Sequence, residues 1–519
     1  MRTRRRVRKF SPSTRTCIGA LGAFGLLWSM HTAAADEING RVLGAGAPVV
    51  GSTVTLWAAG TGAPQQLAQV QSDSDGRFTI SADGHGADLY LLAKGGRPSA
   101  NQASRDNPTL TMISVLGYQP PPRVVVNEMT TVASVWTHAQ FLNGAGIQGH
   151  ALGLKIAAGN VPNFVDLQTG GWGITVQDAL NSGQTPTMAN FATLADLLSG
   201  CATEVKANAC SKLFAAATPP TGVVPTDTLT AAQSISRYSW YKPDRLFALL
   251  DEFYPVPQGK NLRPVPFMPY LNFSPSAWVL PLKFDGGGYR AGGKAMFDSE
   301  GNLWVGDNFT VGWQGQDAFW QGNATKFNPN GKPLSPITTG FAGGGMQGGT
   351  FGAAVDAKDN AWFSSYGSKS IAVFDKNGTP LTPPEGITFD GQLGLMQGII
   401  ATPSGDVWAS ASRSASSCIS PRVIGPGAGS SAKATAPNRA SRSSGHFTSP
   451  LISRIGSGFR TPAIKSRASL PRIRAKPKIS RRESSTAVST STARATYGSP
   501  TASAMGYWEW PTSSTWRCA

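Results

Sequence analysis

The sequence predicts a multidomain chain: an all-β sandwich, then an α-helical region, then an incomplete β-propeller, then a disordered basic tail. Three observations carry this. A tryptophan-centred segment recurs as Asp298-Ser-Glu-Gly-Asn-Leu-Trp304, Asp356-Ala-Lys-Asp-Asn-Ala-Trp362 and Thr402-Pro-Ser-Gly-Asp-Val-Trp408. Short β-branched runs before residue 123 give way to helical stripes after 124. Basic residues crowd the ends: of 46 Lys and Arg, seven fall in 1–35 and 17 in 411–519, against two acids in the latter. Residues 36–410 are left with a net charge of −5, so the overall +17 is no property of the folded middle.

Residues 1–35 read as an export signal. Arg2 to Lys9 is a basic stretch, Cys17 to Met30 a 14-residue apolar run, and Ala33-Ala34-Ala35 a small-residue cleavage site. The apolar run is short for a membrane span. Thr3-Arg4-Arg5-Arg6 fits either the twin-arginine or the Sec route. Cys17 precedes the apolar run, which argues against a lipid anchor. A periplasmic or secreted protein with no membrane span after cleavage is expected.

Residues 36–123 are assigned to the sandwich through strands at Ile38–Val42, Ser52–Leu56 and Arg77–Ile80. Asp73-Ser-Asp-Gly76 lacks the upstream ligand and closing Glu of a calcium loop and reads as a hairpin turn. The succession I-x-G-x-V, Ala47 to Leu56 and D-x-D-G-x-F resembles carboxypeptidase-regulatory-like sandwiches. That resemblance implies an accessory module without catalytic residues.

Residues 124–275 are assigned to helices. Asn127 caps one whose apolar face holds Met129, Val132, Ala133 and Trp136. Phe191, Leu194, Ala195 and Leu198 form a second stripe, which Gly200 is expected to stop. Asp227–Ser236 and Asp244–Glu252 are further helices, the last opened by Pro243. Cys201 and Cys210, nine apart, are expected to form a disulfide in an oxidising compartment.

Residues 276–410 hold the blades. Phe327-Asn-Pro-Asn-Gly-Lys-Pro-Leu334 and Phe374-Asp-Lys-Asn-Gly-Thr-Pro-Leu381 alternate with the tryptophan segments at spacings of 46 to 58 residues, the period of propeller blades. Gly301, Gly331, Gly378 and Gly405 are placed in turns, and Trp304, Trp362 and Trp408 in packing between blades. Gly343 to Gly349 lacks the Lys and Ser/Thr of a phosphate loop and reads as an inter-strand turn. Ligand-facing loops are expected at Asp307, Asn308 and Tyr366.

The blade segments resemble the NHL-repeat and streptogramin-lyase-like (virginiamycin B lyase-like) family of secreted propellers, whose blades carry D-x-x-G-N-x-W-V. Asp298 to Val305 matches nearly throughout, while the third copy has Thr402 in place of the Asp. The helical region and Ser276-Ala-Trp278 with Asp285-Gly-Gly-Gly288, read as the start of the first blade, extend the likeness over about 36–410. Lyases of this family imply a histidine base and a divalent metal in the propeller channel. Residues 276–410 contain neither His nor Cys, so no catalytic residue, cofactor or metal is assigned. His85, His138 and His150 precede the blades and read as surface or cap residues.

Residues 411–519 are rich in Ser, Arg, Ala and Pro without apolar period. Shifting each codon by one base lets 418–435 read HFPKGDWTRGRIVCEGD and 492–502 read DSEGNVWVTNR, a further copy of the blade motif. The tail therefore reads as an out-of-frame translation of further blades. Three function classes follow: an exported scaffold for an extracytoplasmic ligand or protein, a metal-dependent lyase- or lactonase-like enzyme in an intact homologue, and a basic tail on nucleic acid or anionic membrane. The first is preferred and no nucleic-acid partner is expected. Three blades leave an unburied face, and poor solubility follows.

Overall fold

The computed structural model describes residues 36–82, 87–100, 105–308, 322–391, 393–412 and 417–419. The export signal, His85 and the tail beyond 419 lie outside them. The described part is rich in antiparallel sheets, none of them closed, with a group of helices between them in sequence.

The first nine strands are β1 (Asp36–Gly44), β2 (Ala47–Val50), β3 (Thr53–Ala59), β4 (Gln65–Gln71), β5 (Arg77–Ala82), β6 (Asp88–Lys94), β7 (Arg97–Pro98), β8 (Thr111–Gly117) and β9 (Arg123–Val126). They form two sheets, one in the order β5-β1-β2-β7 with β9 parallel on β1, the other β4-β3-β6-β8. Ile38, Val42, Val54, Leu56, Ile80 and Leu91 fill the space between them. Asp73 closes a tight turn, its Oδ1 accepting from the amides of Asp75 and Arg77. This turn carries the chain from one sheet to the other, whereas the sequence suggests a hairpin.

The helices are α1 (Glu128–Thr137), α2 (Ala151–Phe164), α3 (Ile174–Gln177), α4 (Ala179–Ser182), α5 (Thr187–Ala202), α6 (Ala209–Ala216), α7 (Thr228–Arg237) and α8 (Pro243–Phe253). Between α1 and α2 lies a small ribbon, β10 (Leu142–Asn143) with β11 (Gly146–Ile147). Asn127 and Asp227 each form a capping box with a Thr three residues on, satisfying amides that a helix start leaves free. Gly200 does not end its helix, which runs two residues further. A Cβ there would lie 2.3 Å from the Phe253 ring, so the glycine admits α8 against α5.

The expected border at 123/124 is no gap. Tyr90, Leu92, Ile113 and Val115 turn away from the first core and pack with Met129, Val132, Leu194 and Phe191 of the helices. The β6–β8 sheet is thus covered on both sides. The expected border at 275/276 also moves. Trp278 is buried among the helices, its carbonyl accepting from Trp136 Nε1 at 3.0 Å.

Cys201 and Cys210 are joined and tie the end of α5 to α6. Closing a loop of this length restrains the unfolded chain by about 2–3 kcal/mol. A reductant is therefore expected to lower the thermal midpoint by several degrees, an effect absent from Cys201→Ser/Cys210→Ser. Among the described residues no helix is long and apolar enough to cross a membrane.

Three small sheets follow. The first holds β12 (Gly292–Phe297), β13 (Leu303–Asp307), β14 (Asn323–Phe327) and β15 (Phe341–Ala342); the second β16 (Thr350–Val355), β17 (Ala361–Ser365) and β18 (Ser370–Phe374). The third holds β19 (Leu395–Ala401), β20 (Val407–Ser412) and β21 (Ser417–Ile419). Each first strand carries a bulge at the same place, before Ala295, Gly352 and Gly398. The third sheet runs past the expected end at Ser410, because backbone pairing of Trp408 with Cys418 and Ala409 with Ser417 needs no particular side chain.

Candidate ligand-binding end of the sheets

The tryptophan motif is explained by its aspartate. Asp298 Oδ1 accepts from the amides of Glu300 and Asn302, while Oδ2 takes Asn302 Nδ2 and Trp304 Nε1. Asp356 repeats the set with Lys358, Asn360 and Trp362. One carboxylate thus closes the turn and aims the indole, which is what the D-x-x-G-N-x-W spacing achieves. In the first sheet Lys326 joins: its Nζ lies 3.1 Å from Asp298 Oδ2 and 4.6 Å from the centre of the Trp304 ring. Burial works to raise the Asp298 pKa, but the Asn302 hydrogen bonds and the Lys326 ammonium outweigh it and hold it below the ordinary value.

Trp304 and Trp362 are buried, whereas Trp408 is 44% exposed. Two of the three indoles thus pack against a neighbouring sheet, and the third does not. Thr402 closes its turn through the amide of Asp406, and its short hydroxyl side chain takes no part in holding the indole. Gly301, Gly331, Gly378 and Gly405 all have positive φ, as the turns require. At Gly331 and Gly378 a Cβ would also strike the rings of Phe284 and Phe341, each 2.1 Å away.

These two rings reveal a repeated element that the sequence analysis missed. Phe284-Asp-Gly-Gly-Gly288 and Phe341-Ala-Gly-Gly-Gly345 each run along a sheet, from the phenylalanine at the aspartate-turn end to the last glycine at the opposite end. Ser335 Oγ and Thr382 Oγ1 donate at 2.8 Å to the carbonyls of Gly287 and Gly344. Asn323 and Ser370 do the same for Gly288 and Gly345. A Cβ on Gly288 or Gly345 would meet the backbone of Gly340 or Gly386 at 2.1 and 2.3 Å. The spacing of phenylalanine and triple glycine was the available signal.

Asp307, Asn308 and Tyr366 all lie at this glycine-bearing end. Asp307 is not ligand-facing, however: its buried carboxylate accepts from the Arg290 amide, Asn323 Nδ2 and Thr325 Oγ1. Burial raises its pKa, and those hydrogen bonds offset the rise only in part. Tyr366 is half-buried and packs on Phe351, ring centres 5.6 Å apart. Asn308 and Thr350 stand apart from these. Asn308 Oδ1 and Thr350 Oγ1 are buried and have no hydrogen-bond partner among the described residues. They are close in the fold, since Gly306 and Gly293 both approach the Thr350 backbone and the Asn308 amide donates to Ala291.

The other end of the first sheet is occupied by α2. Asn160 and Asn163 donate to the carbonyls of Pro329 and Asn330, and Ile156 lies against Gly301. A cleft of about 420 Å³ beside this contact is lined by Asp178, Lys283, Asn163 and Lys332. Asp178 caps α4 and Asn163 binds Thr175, so these two groups already serve structure. His150 caps α2 on the surface, as expected. His138 caps α1 from a buried position, and burial lowers its pKa to about 4. Among the described residues no group of three or more His, Cys, Asp or Glu side chains is placed to hold a metal.

No family model matches the chain, and no curated protein does. Among solved structures, a protein assigned as a gluconolactonase aligns at 17% identity and TM-score 0.19 over 25% of this chain and 44% of its own. A 9R-lipoxygenase from Cyanothece PCC8801 aligns at 11% identity and TM-score 0.13, covering 59% of this chain and 41% of its own. The chain spans less than half of either match, and similarity at these scores carries no argument about fold or activity.

Proposed function

We propose that this chain is an exported ligand-binding scaffold whose last three sheets are propeller-type blades. Residues 1–35 and the Cys201–Cys210 bridge support export to an oxidising compartment. The recurring aspartate–tryptophan lock, the bulged first strands and the glycine segments support the blade reading.

One observation supports this as the ligand end, the unpartnered Asn308 Oδ1 and Thr350 Oγ1. A buried polar group left unpaired costs about 1–3 kcal/mol, so two together at one end of the sheets mark where a ligand would supply the missing partners. The matching chemistry is a small polar ligand that donates to Asn308 and exchanges a hydrogen bond with Thr350. Among the described residues no side chain at this end is a base or nucleophile with a positioned catalytic partner, and the proposed role is binding.

The test is a thermal-shift screen of sugars, polyols and small carboxylates, followed by calorimetry on any hit. Asn308→Ala and Thr350→Val are each expected to weaken that ligand about tenfold, or ~1.4 kcal/mol, with stability kept. A hit that binds both variants like the parent would remove the ligand from this end.

A further inference from the structure

The two interfaces between the small sheets are built alike. Trp304 of the first faces Ala353, Phe363 and Phe374 of the second. Trp362, with Ala354 and Val373, faces Met396, Ile399 and Val407 of the third. The same side of the third sheet holds Trp408 and Ile400, 44% and 60% exposed, where Trp362 and Ala354 are 3% and 1%.

We propose that this side of the third sheet is a docking face for a fourth sheet of the same repeat, encoded by the shifted frame that follows residue 410. Its recognition chemistry is already displayed twice: small and apolar side chains from the incoming first and second strands cover an indole and its neighbours. The shifted reading around His446, PFHLAIDQQDRIW, places Asp and Trp at the spacing of Asp298 and Trp304, about one repeat beyond Trp408. That strand pair would bring its own aspartate lock, which the third sheet lacks at Thr402. A second copy of the chain is a poorer occupant. On the side of the first sheet that would have to receive Trp408, Val305, Thr325 and Phe327 are already buried, and only the first strand, with Phe297 68% exposed, is open to a second copy. The proposal stands on the repeat geometry and is independent of any ligand at Asn308.

Two measurements test it together. The coding DNA from codon 405 onward is expected to show the shifted frame open with the motif in place; a stop codon there, or a different sequence around His446, overturns the proposal whether or not any variant folds. Iodide quenching is then compared between the full chain in its present frame and the chain with the frame restored at Ala411, each with and without Trp408→Phe. The Trp408 contribution is expected to be strongly quenched in the first and several-fold less in the second, with both monomeric by light scattering. Equal quenching in both sinks the idea. Protection of Trp408 in the present frame also sinks it, indicating a second copy if it appears only at high concentration and residues 420–519 if it does not.

Discussion

Asp298→Ala is expected to destabilise the first sheet by about 3–5 kcal/mol. The carboxylate neutralises Lys326, a cation whose side chain is only 6% exposed, and removing one partner of a buried pair leaves the other charge uncompensated. Asn302 Nδ2 and Trp304 Nε1 lose their acceptor at the same time. Lys326 has one remaining oxygen, the Lys376 carbonyl at 2.8 Å, which is neutral and cannot replace the lost charge. Asp356 makes the same turn and indole contacts, but the equivalent of Lys326 in its sheet is Val373. Asp356→Ala is accordingly expected to cost only about 1–3 kcal/mol. Urea denaturation of the two variants, with the double change Asp298→Ala/Lys326→Met recovering part of the first loss, checks the account. Equal losses at the two sites would show that the ammonium contributes nothing.

The second large effect is on the pH dependence of stability. Glu128 on α1 and Asp196 on α5 are fully buried near one another, with Ser199 and Tyr254 beside them. Glu128 Oε1 accepts from the Ala45 amide at 2.9 Å and Asp196 Oδ1 from the Phe267 amide at 2.9 Å. Burial raises Glu128 to about 7 and Asp196 to about 9, and the neighbouring Glu128 pushes Asp196 further the same way. It raises Tyr254 also.

In the folded chain both acids keep protons that the unfolded chain gives up at ordinary carboxyl values. Their stability contribution is whole below about pH 4 and is lost as pH rises, through about 7 for Glu128 and on toward about 9 for Asp196. His138 acts in the opposite sense. Its depressed pKa means stability is lost as pH falls from 6.5 through about 4. The gain from His138 therefore offsets part of the carboxyl loss up to pH 6.5; the decline is steepest from there to about 7, and Asp196 alone continues it above that. Glu128→Gln keeps the Ala45 hydrogen bond without the titration and is expected to flatten the decline between about pH 4.5 and 7, a difference that reaches about 3 kcal/mol above pH 7. Unfolding midpoints measured from pH 5 to 9 decide this. A Glu128→Gln curve parallel to the parent would mean that Glu128 is already ionised in the fold.

What was legible in the sequence followed from local chemistry. Asn127, Asp227 and Pro243 announced α1, α7 and α8 because caps and a first-turn proline act through neighbouring backbone. The turn glycines were readable for the same reason. β6 and β8 were missed because both of their faces are covered, so Leu89 to Ala93 and Met112 to Leu116 show no alternation. α2 was missed because Gly153, Gly159 and Pro162 lie inside it. Gly200 was misread as a stop since its reason, Phe253, is 53 residues away. Glu128 looked like an ordinary first-turn acid. Nothing near it in sequence shows that α5 and α8 close over it. Asp307 reads as a loop acid in the sequence because its partners Asn323 and Thr325 come from the next strand.

The sheet clasped from both sides has a consequence for how this protein comes apart. With Tyr90, Leu92, Ile113 and Val115 gripped by α1 and α5, cutting the chain near Arg123 would bare an oily underside rather than release a tidy module. Residues 36–235 should accordingly melt as one cooperative body, and a protease should find no early nick between the strands and the helices.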